Sequence, residues 1–158
     1  MLAIRRILHP TDFSDSSQTA FEVACALARD YDAELVLCYV EPWPAVPVVD
    51  GIALDVPADD ADADVSRLAD VRPEDPAVRV VRRLRRGEAA HEILTVAADA
   101  AVDLIVMGTH GRGGLPRLVL GSVAESVMRK APCPVLTVRT PAHAAHAPAT
   151  TAAAAAGG

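Results

Sequence analysis

Two regimes of apolar and polar residues follow one another along the chain. Short, nearly unbroken apolar runs are separated by longer stretches in which apolar residues return every three or four positions. "ILHP" (Ile7 to Pro10) is short, apolar and closed by proline, and predicts a first strand over residues 3–9. "TDFSDSSQ" follows, rich in residues that cap helices, with Asp15 and Gln18 at capping-box spacing. Ala20, Ala24, Leu27 and Tyr31 then mark one face of a helix over 16–31. "ELVLCYV" (Glu34 to Val40) is apolar on both faces, as in a buried parallel strand. "AVRVVRRLRRG" (Ala77 to Gly87) predicts a strand near a sheet edge with its arginines exposed. Ala90, Ile93, Leu94, Ala97 and Ala101 give a helix over 88–101, and "DLIVMG" (Asp103 to Gly108) another buried strand. Val123, Ala124, Val127 and Met128 give a further helix, whose end Pro132 and Pro134 bracket. "VLTV" (Val135 to Val138) is the last strand.

Strand and helix thus alternate and the series ends on a strand. That order predicts an α/β fold, an open parallel sheet with helices on both faces. In such sheets ligands bind beyond the carboxyl ends of the strands, near the switch in strand order. Pro10 to Ser14, Val40 onward and the loop starting at Gly108 lie at those ends.

The pattern is weakest in the middle and at the end. Pro42, Pro44 and Pro47 break it, and a short helix around 60–71 is the most that follows. Residues 141–158 are Ala, Thr, Pro, His and Gly without amphipathic period, which predicts a disordered tail after a single domain over 1–140. With 158 residues, 51% of them apolar but 3% aromatic, the chain must build one core from Ala, Val, Leu and Ile.

Charge narrows the partners. A formal net charge of −6 argues against general nucleic-acid binding and leaves room for a local anion site. Five arginines crowd residues 77–87, a pattern that an RNA or membrane patch would share. The acidity of the whole chain favours a solvated strand face instead. Cys25, Cys38 and Cys133 are odd in number and form no CxxC, so they are expected as reduced core thiols of a cytoplasmic protein. Two arginines interrupt the first apolar run, against a signal peptide. No run is long enough to cross a membrane.

"VMGTHGRGGLPRLVLGSVAESV" (residues 106 to 127) carries the chemistry, with five of the nine glycines. A Walker loop needs GK[ST] at the helix start, whereas Ser122 follows Gly121 directly. A dinucleotide fingerprint needs G-x-G-x-x-G, and counting from Gly111 its last place holds Pro116. The physics still favours an anion. Ser122 is placed to open a helix, with Glu125 completing a capping box. The first amides of that helix carry partial positive charge. Gly121 would let a phosphate approach, Gly108 would leave room for a sugar or flat group, and Arg112 and Arg117 add charge. The competing explanation is a loop whose glycines serve turns alone.

"GTHGRGGLPRLVLGSVAESVMRKAPCPVLTV" resembles the nucleotide-binding motif of the universal stress protein family, G-x2-G-x9-G-[ST]. "ILHPTDFSDSS" resembles that family's first strand and loop, and "DLIVMGTHGR" its fourth strand, so the likeness spans roughly residues 3–139. The resemblance implies a Rossmann-like sheet of five parallel strands in the order 3-2-1-4-5. It also implies ATP as ligand, with Mg2+ or Mn2+, and a homodimer through the last strand (Val135, Leu136, Thr137, Val138). By motif matching, Gly108, Gly111, Gly121 and Ser122 contact ribose and phosphates, and Val123 adds an amide. His110 and Arg112 belong to the same loop. Pro10, Thr11 and Asp12 line the pocket, and Val40 offers backbone groups to adenine. Asp12 could instead cap the first helix, and His110 could be a plain loop residue. Residues 41–76 depart from the family in being proline-rich and shorter in helix.

The function expected is a dimeric, ATP-binding regulator of the stress response. A slow ATPase or phosphotransferase at the same site is the alternative, since only His110 and Asp12 offer acid–base chemistry and the loop has no lysine. A nucleotide-free dimeric module is a third. Neither nucleic acid nor membrane is expected as partner.

Overall fold

The computed structural model describes residues 3–43, 48–49, 52–53, 61–109 and 120–139. β1 (Arg6–Thr11), α1 (Asp15–Asp30) and β2 (Glu34–Glu41) come first. β3 (Val48–Val49) and β4 (Ile52–Ala53) pair as a short antiparallel hairpin. α2 (Ala61–Asp70), β5 (Val80–Arg86), α3 (Ala89–Asp99), β6 (Leu104–Gly108), α4 (Ser122–Lys130) and β7 (Val135–Val138) complete the chain.

Five strands form one parallel sheet in the order β5-β2-β1-β6-β7. Counting sheet strands alone this is 3-2-1-4-5, the expected arrangement. Strand alternation divides the core in two. Ile7, Leu35, Leu37, Tyr39, Leu104 and Val106 face α1 and α2, where Phe21, Ala24, Ala28 and Leu68 cover them. Leu8, Val36, Cys38, Ile105 and Met107 face α3 and α4, where Ile93, Val96, Ala97, Ala124 and Val127 cover them. Small alanines at the helix contacts let aliphatic strands fill both layers without large aromatics.

The apolar face of α1 is rotated from expectation. Phe21 and Ala28 are buried, whereas Leu27 is half-buried and Tyr31, the C-cap, is exposed. α3 ends at Asp99, so Ala101 stands beyond it, exposed and at positive φ. Met128 of α4 is exposed as well. α2 is only ten residues long and is held by Leu68 in the core. The Tyr39 hydroxyl donates to Asp64, and the Arg67 guanidinium stacks on Phe13 at 4.2 Å, fastening α2 over the ends of β1 and β2.

β5 is an edge strand, as its arginines predicted. Arg82 donates to the carbonyls of Leu68 and Val71 at the end of α2, Arg86 pairs with Glu41, and Arg85 with Asp99. Cys25, Cys38 and Cys133 are free. Burial pushes the Cys38 thiol up to about 12 and the Cys25 thiol to about 11, so both pack as neutral groups. Among the described residues no helix is long and apolar enough to cross a membrane. The tail expected over 141–158 lies outside them.

Candidate functional site

β1 is the strand at which the order switches: β2 and β5 extend the sheet one way, β6 and β7 the other. Its ladder with β6 reaches only Leu8↔Ile105, whereas its ladder with β2 runs to Thr11↔Tyr39. Proline explains the difference. In the parallel alternation, residue 10 would donate its amide to Val106 of β6, and Pro10 has none. His9 supplies the missing donor: its Nδ1 donates to the Val106 carbonyl at 2.8 Å. The sheet therefore stops pairing early at its switch point, where a crevice is needed.

His9 is fully buried and tilts against Phe21. Donation from Nδ1 leaves Nε2 unprotonated, 3.4 Å from Ser17 Oγ. Ser17 is also buried and donates to Thr11 Oγ1 at 2.9 Å, which accepts the Phe13 amide as well. Burial lowers the His9 pKa to about 4, against smaller opposing effects of the Val106 bond and the Asp12 charge. The imidazole is thus a neutral brace and no proton acceptor for a reaction near pH 7.

After Thr11 the chain turns sharply. Phe13 takes a φ of 62°, which a non-glycine side chain adopts only under local constraint. Asp12 Oδ1 accepts both the amide and the hydroxyl of Ser14. Ser14, one position earlier than the expected cap at Asp15, then caps α1 by accepting the Ser17 amide at 3.2 Å. Asp12 thus orients the capping residue rather than capping the helix itself.

Gly108 closes β6. A Cβ there would stand 2.5 Å from Ser16 Oγ and 3.0 Å from the Ser16 backbone. The space expected for a sugar is therefore filled by α1, and close packing is what requires glycine at this position. Thr109, buried, donates its amide to Val138 of β7 and accepts the Gly121 amide at 2.9 Å. It ties the start of α4 to the carboxyl end of the sheet, a role the sequence did not reveal.

The cap of α4 also departs from expectation. Gly121 is the N-cap and no side chain caps the helix. Ser122 is the first helical residue and exposed, one place too late to close a capping box, and Glu125 pairs with Arg129 instead. Consequently the amides of Ser122, Val123 and Ala124 meet no acceptor among the described residues. Three donors and the positive end of a helix dipole stand together.

Of the predicted site residues, Pro10, Val40, Gly121, Ser122 and Val123 gather at the carboxyl end of the sheet. Val40 and Val123 pack against the α3/α4 layer. Thr11 and Gly108 instead turn toward α1. His110, Gly111 and Arg112, with Arg117, lie outside the described residues. Among the described residues no cluster of three or more His, Cys, Asp or Glu could hold a metal ion alone.

Comparison with known proteins agrees with this architecture. The model of the universal stress protein family matches residues 3–139. A universal stress protein of Methanocaldococcus jannaschii, MJ0531, is 37% identical over 145 residues, covering 87% of this chain and 83% of its own. The UspA structure from Lactobacillus plantarum superposes with a TM-score of 0.68 at 28% identity, covering 86% of this chain and 98% of its own. A universal stress protein in complex with cAMP shares the fold, with a TM-score of 0.64 at 23% identity over 87% of this chain and 98% of its own.

Proposed function

The chain belongs to the universal stress protein family, and from that premise we propose that it is a nucleotide-binding regulator that holds ATP at the carboxyl end of its sheet. The observation that carries the reading is the start of α4. The amides of Ser122, Val123 and Ala124 meet no acceptor among the described residues, and Gly121 beside them has no side chain to block a phosphate. The Gly111 amide and the side chains of His110 and Arg112 would complete the phosphate and ribose side, whereas Gly108 serves the packing of α1. Pro10, Thr11, Asp12 and the Val40 backbone form the adenine side, at the crevice where β1 and β6 part. A universal stress protein of the same fold has been solved in complex with cAMP, itself an adenine nucleotide.

Mg2+ or Mn2+ would enter with the ATP. Such ions take hard oxygen ligands, mostly phosphate and water, and one carboxylate suffices beside them. Asp12, on the β1 loop, is the carboxylate suited to that role. In this reading the site holds nucleotide rather than consuming it, since its glycine loop carries no lysine and His9 is committed to Val106. Nucleotide occupancy then alters the surface that a second copy or a partner meets. The second copy joins through β7, whose far edge is unpaired among the described residues, in a cytoplasmic homodimer.

Extraction of freshly purified protein, followed by mass spectrometry, tests the ligand. ATP at a substantial fraction of the protein, absent from Gly121→Val, is the expected result. Absence of any nucleotide, together with no binding of added ATP, overturns the reading.

A further inference from the structure

β5 closes the sheet on the side away from β7, and its outer edge is unpaired among the described residues. The Leu35 amide donates to Arg79 and the Gly87 amide to Glu41, which fixes the alternation of the ladder. The amides and carbonyls of Arg82, Leu84 and Arg86 therefore point outward. A cleft of about 400 Å³ runs along this edge, bounded by the strand from Arg82 to Arg85 and by Val96, Asp99 and Ala100 of α3 and its cap. It borders the strand edge that is unpaired among the described residues, and Leu84 beside it is exposed.

The charge on the cleft is uneven. Arg82 is committed to α2 and Arg86 to Glu41. Arg83 and Arg85 stand opposite Cys38 and Val40, residues of the α3/α4 layer, and so share the α3 side. Arg83 has no hydrogen bond or ion pair among the described residues. Arg85 reaches Asp99 only at 3.4 Å, and its Nε has no acceptor among the described residues.

We propose that this edge binds an acidic protein segment in extended conformation, added as a sixth strand of the sheet. The outward groups of Arg82, Leu84 and Arg86 supply the ladder, and Arg83 and Arg85 take the carboxylates. Arginines on an edge repel a second copy of the same strand, so their charge selects the partner as well as guarding the edge. RNA fits less well. Among the described residues of this edge Arg83 alone is unpaired and Arg85 holds Asp99 only at 3.4 Å, while the chain as a whole carries −6.

The test uses the full chain, a labelled decapeptide of alternating Glu and Thr, its Lys–Thr counterpart and a single-stranded RNA decamer. Amide exchange by NMR is the decisive readout. On adding the Glu–Thr peptide, the outward amides of Arg82, Leu84 and Arg86 should gain protection, while those of Arg83 and Arg85, already bonded to β2, change little. Arg83→Glu with Arg85→Gln should weaken peptide binding by about ten-fold or more, with the thermal midpoint and ATP binding unchanged. Leu84→Pro, which removes one outward amide and keeps every charge, should weaken it comparably. Peptide binding without protection of the outward amides, equal or tighter binding of the RNA or Lys–Thr probe, or no peptide binding at all overturns the proposal.

Discussion

His9 donates its Nδ1 proton to the Val106 carbonyl at 2.8 Å, at the strand position where Pro10 has no amide to give. Proline ends the β1–β6 ladder and the neighbouring imidazole repairs the carbonyl left over. Two adjacent residues thereby part the sheet at its switch point while the Val106 carbonyl keeps a donor.

This brace has a pH signature. The folded-state pKa of His9 is lowered to about 4 from 6.5, so the unfolded chain takes up the proton first on acidification. Its contribution is whole above pH 6.5 and is lost as pH falls toward 4, roughly 3 kcal/mol in all. His9→Gln should remove that part of the pH dependence and cost about 1–3 kcal/mol at pH 7 through a poorer bond to Val106. Urea unfolding at a series of pH values measures both, and parallel profiles for the two proteins would refute the assignment.

Gly108 is needed by α1. Gly108→Ala should lower stability by about 1–3 kcal/mol, since its Cβ would meet Ser16 Oγ at 2.5 Å. Adding Ser16→Ala should recover only part of the loss, because the Ser16 backbone, 3.0 Å away, remains. Thermal unfolding of the wild type and the two variants decides this. A Gly108→Ala protein as stable as wild type would show that the contact is not restrictive.

The proposed homodimer would use the outer edge of β7, which is unpaired among the described residues. The bonds of Ile105 to Pro134 and of Thr109 to Val138 leave the amides of Val135 and Thr137 pointing outward, beside the exposed Leu136. Light scattering should report twice the mass of the chain. Thr137→Pro removes one outward amide and should yield a monomer with nearly the wild-type melting temperature. A dimer that persists in this variant places the interface elsewhere.

The sequence carried the architecture because strand and helix periods differ sharply, and buried parallel strands such as Glu34 to Val40 stand out as apolar runs. Caps were off by one residue at both Asp15 and Ser122, since capping depends on the dihedral angles of one residue. His9 passed unremarked inside an apolar run. Its partnership with Val106, 97 positions away, exists only once Pro10 meets β6 in register. Gly108 was legible as a glycine that mattered, but ligand space and helix packing leave the same mark on a sequence. The loop composition pointed to an anion. That three α4 amides meet no acceptor among the described residues emerged only from Gly121, not Ser122, being the cap.

Titration calorimetry with ATP, on the wild type and on Ser122→Pro, tests the nucleotide site most directly. Proline is favoured at the first helical position, and Gly121, with φ −60° and ψ 147°, already has the conformation that precedes proline. The substitution should therefore leave the melting temperature unchanged or raise it while deleting one phosphate donor and a hydroxyl. Micromolar binding by the wild type, weakened about ten-fold or more in the variant, is the predicted result. No ATP heat from the wild type, or equal affinity in both proteins, would contradict the account.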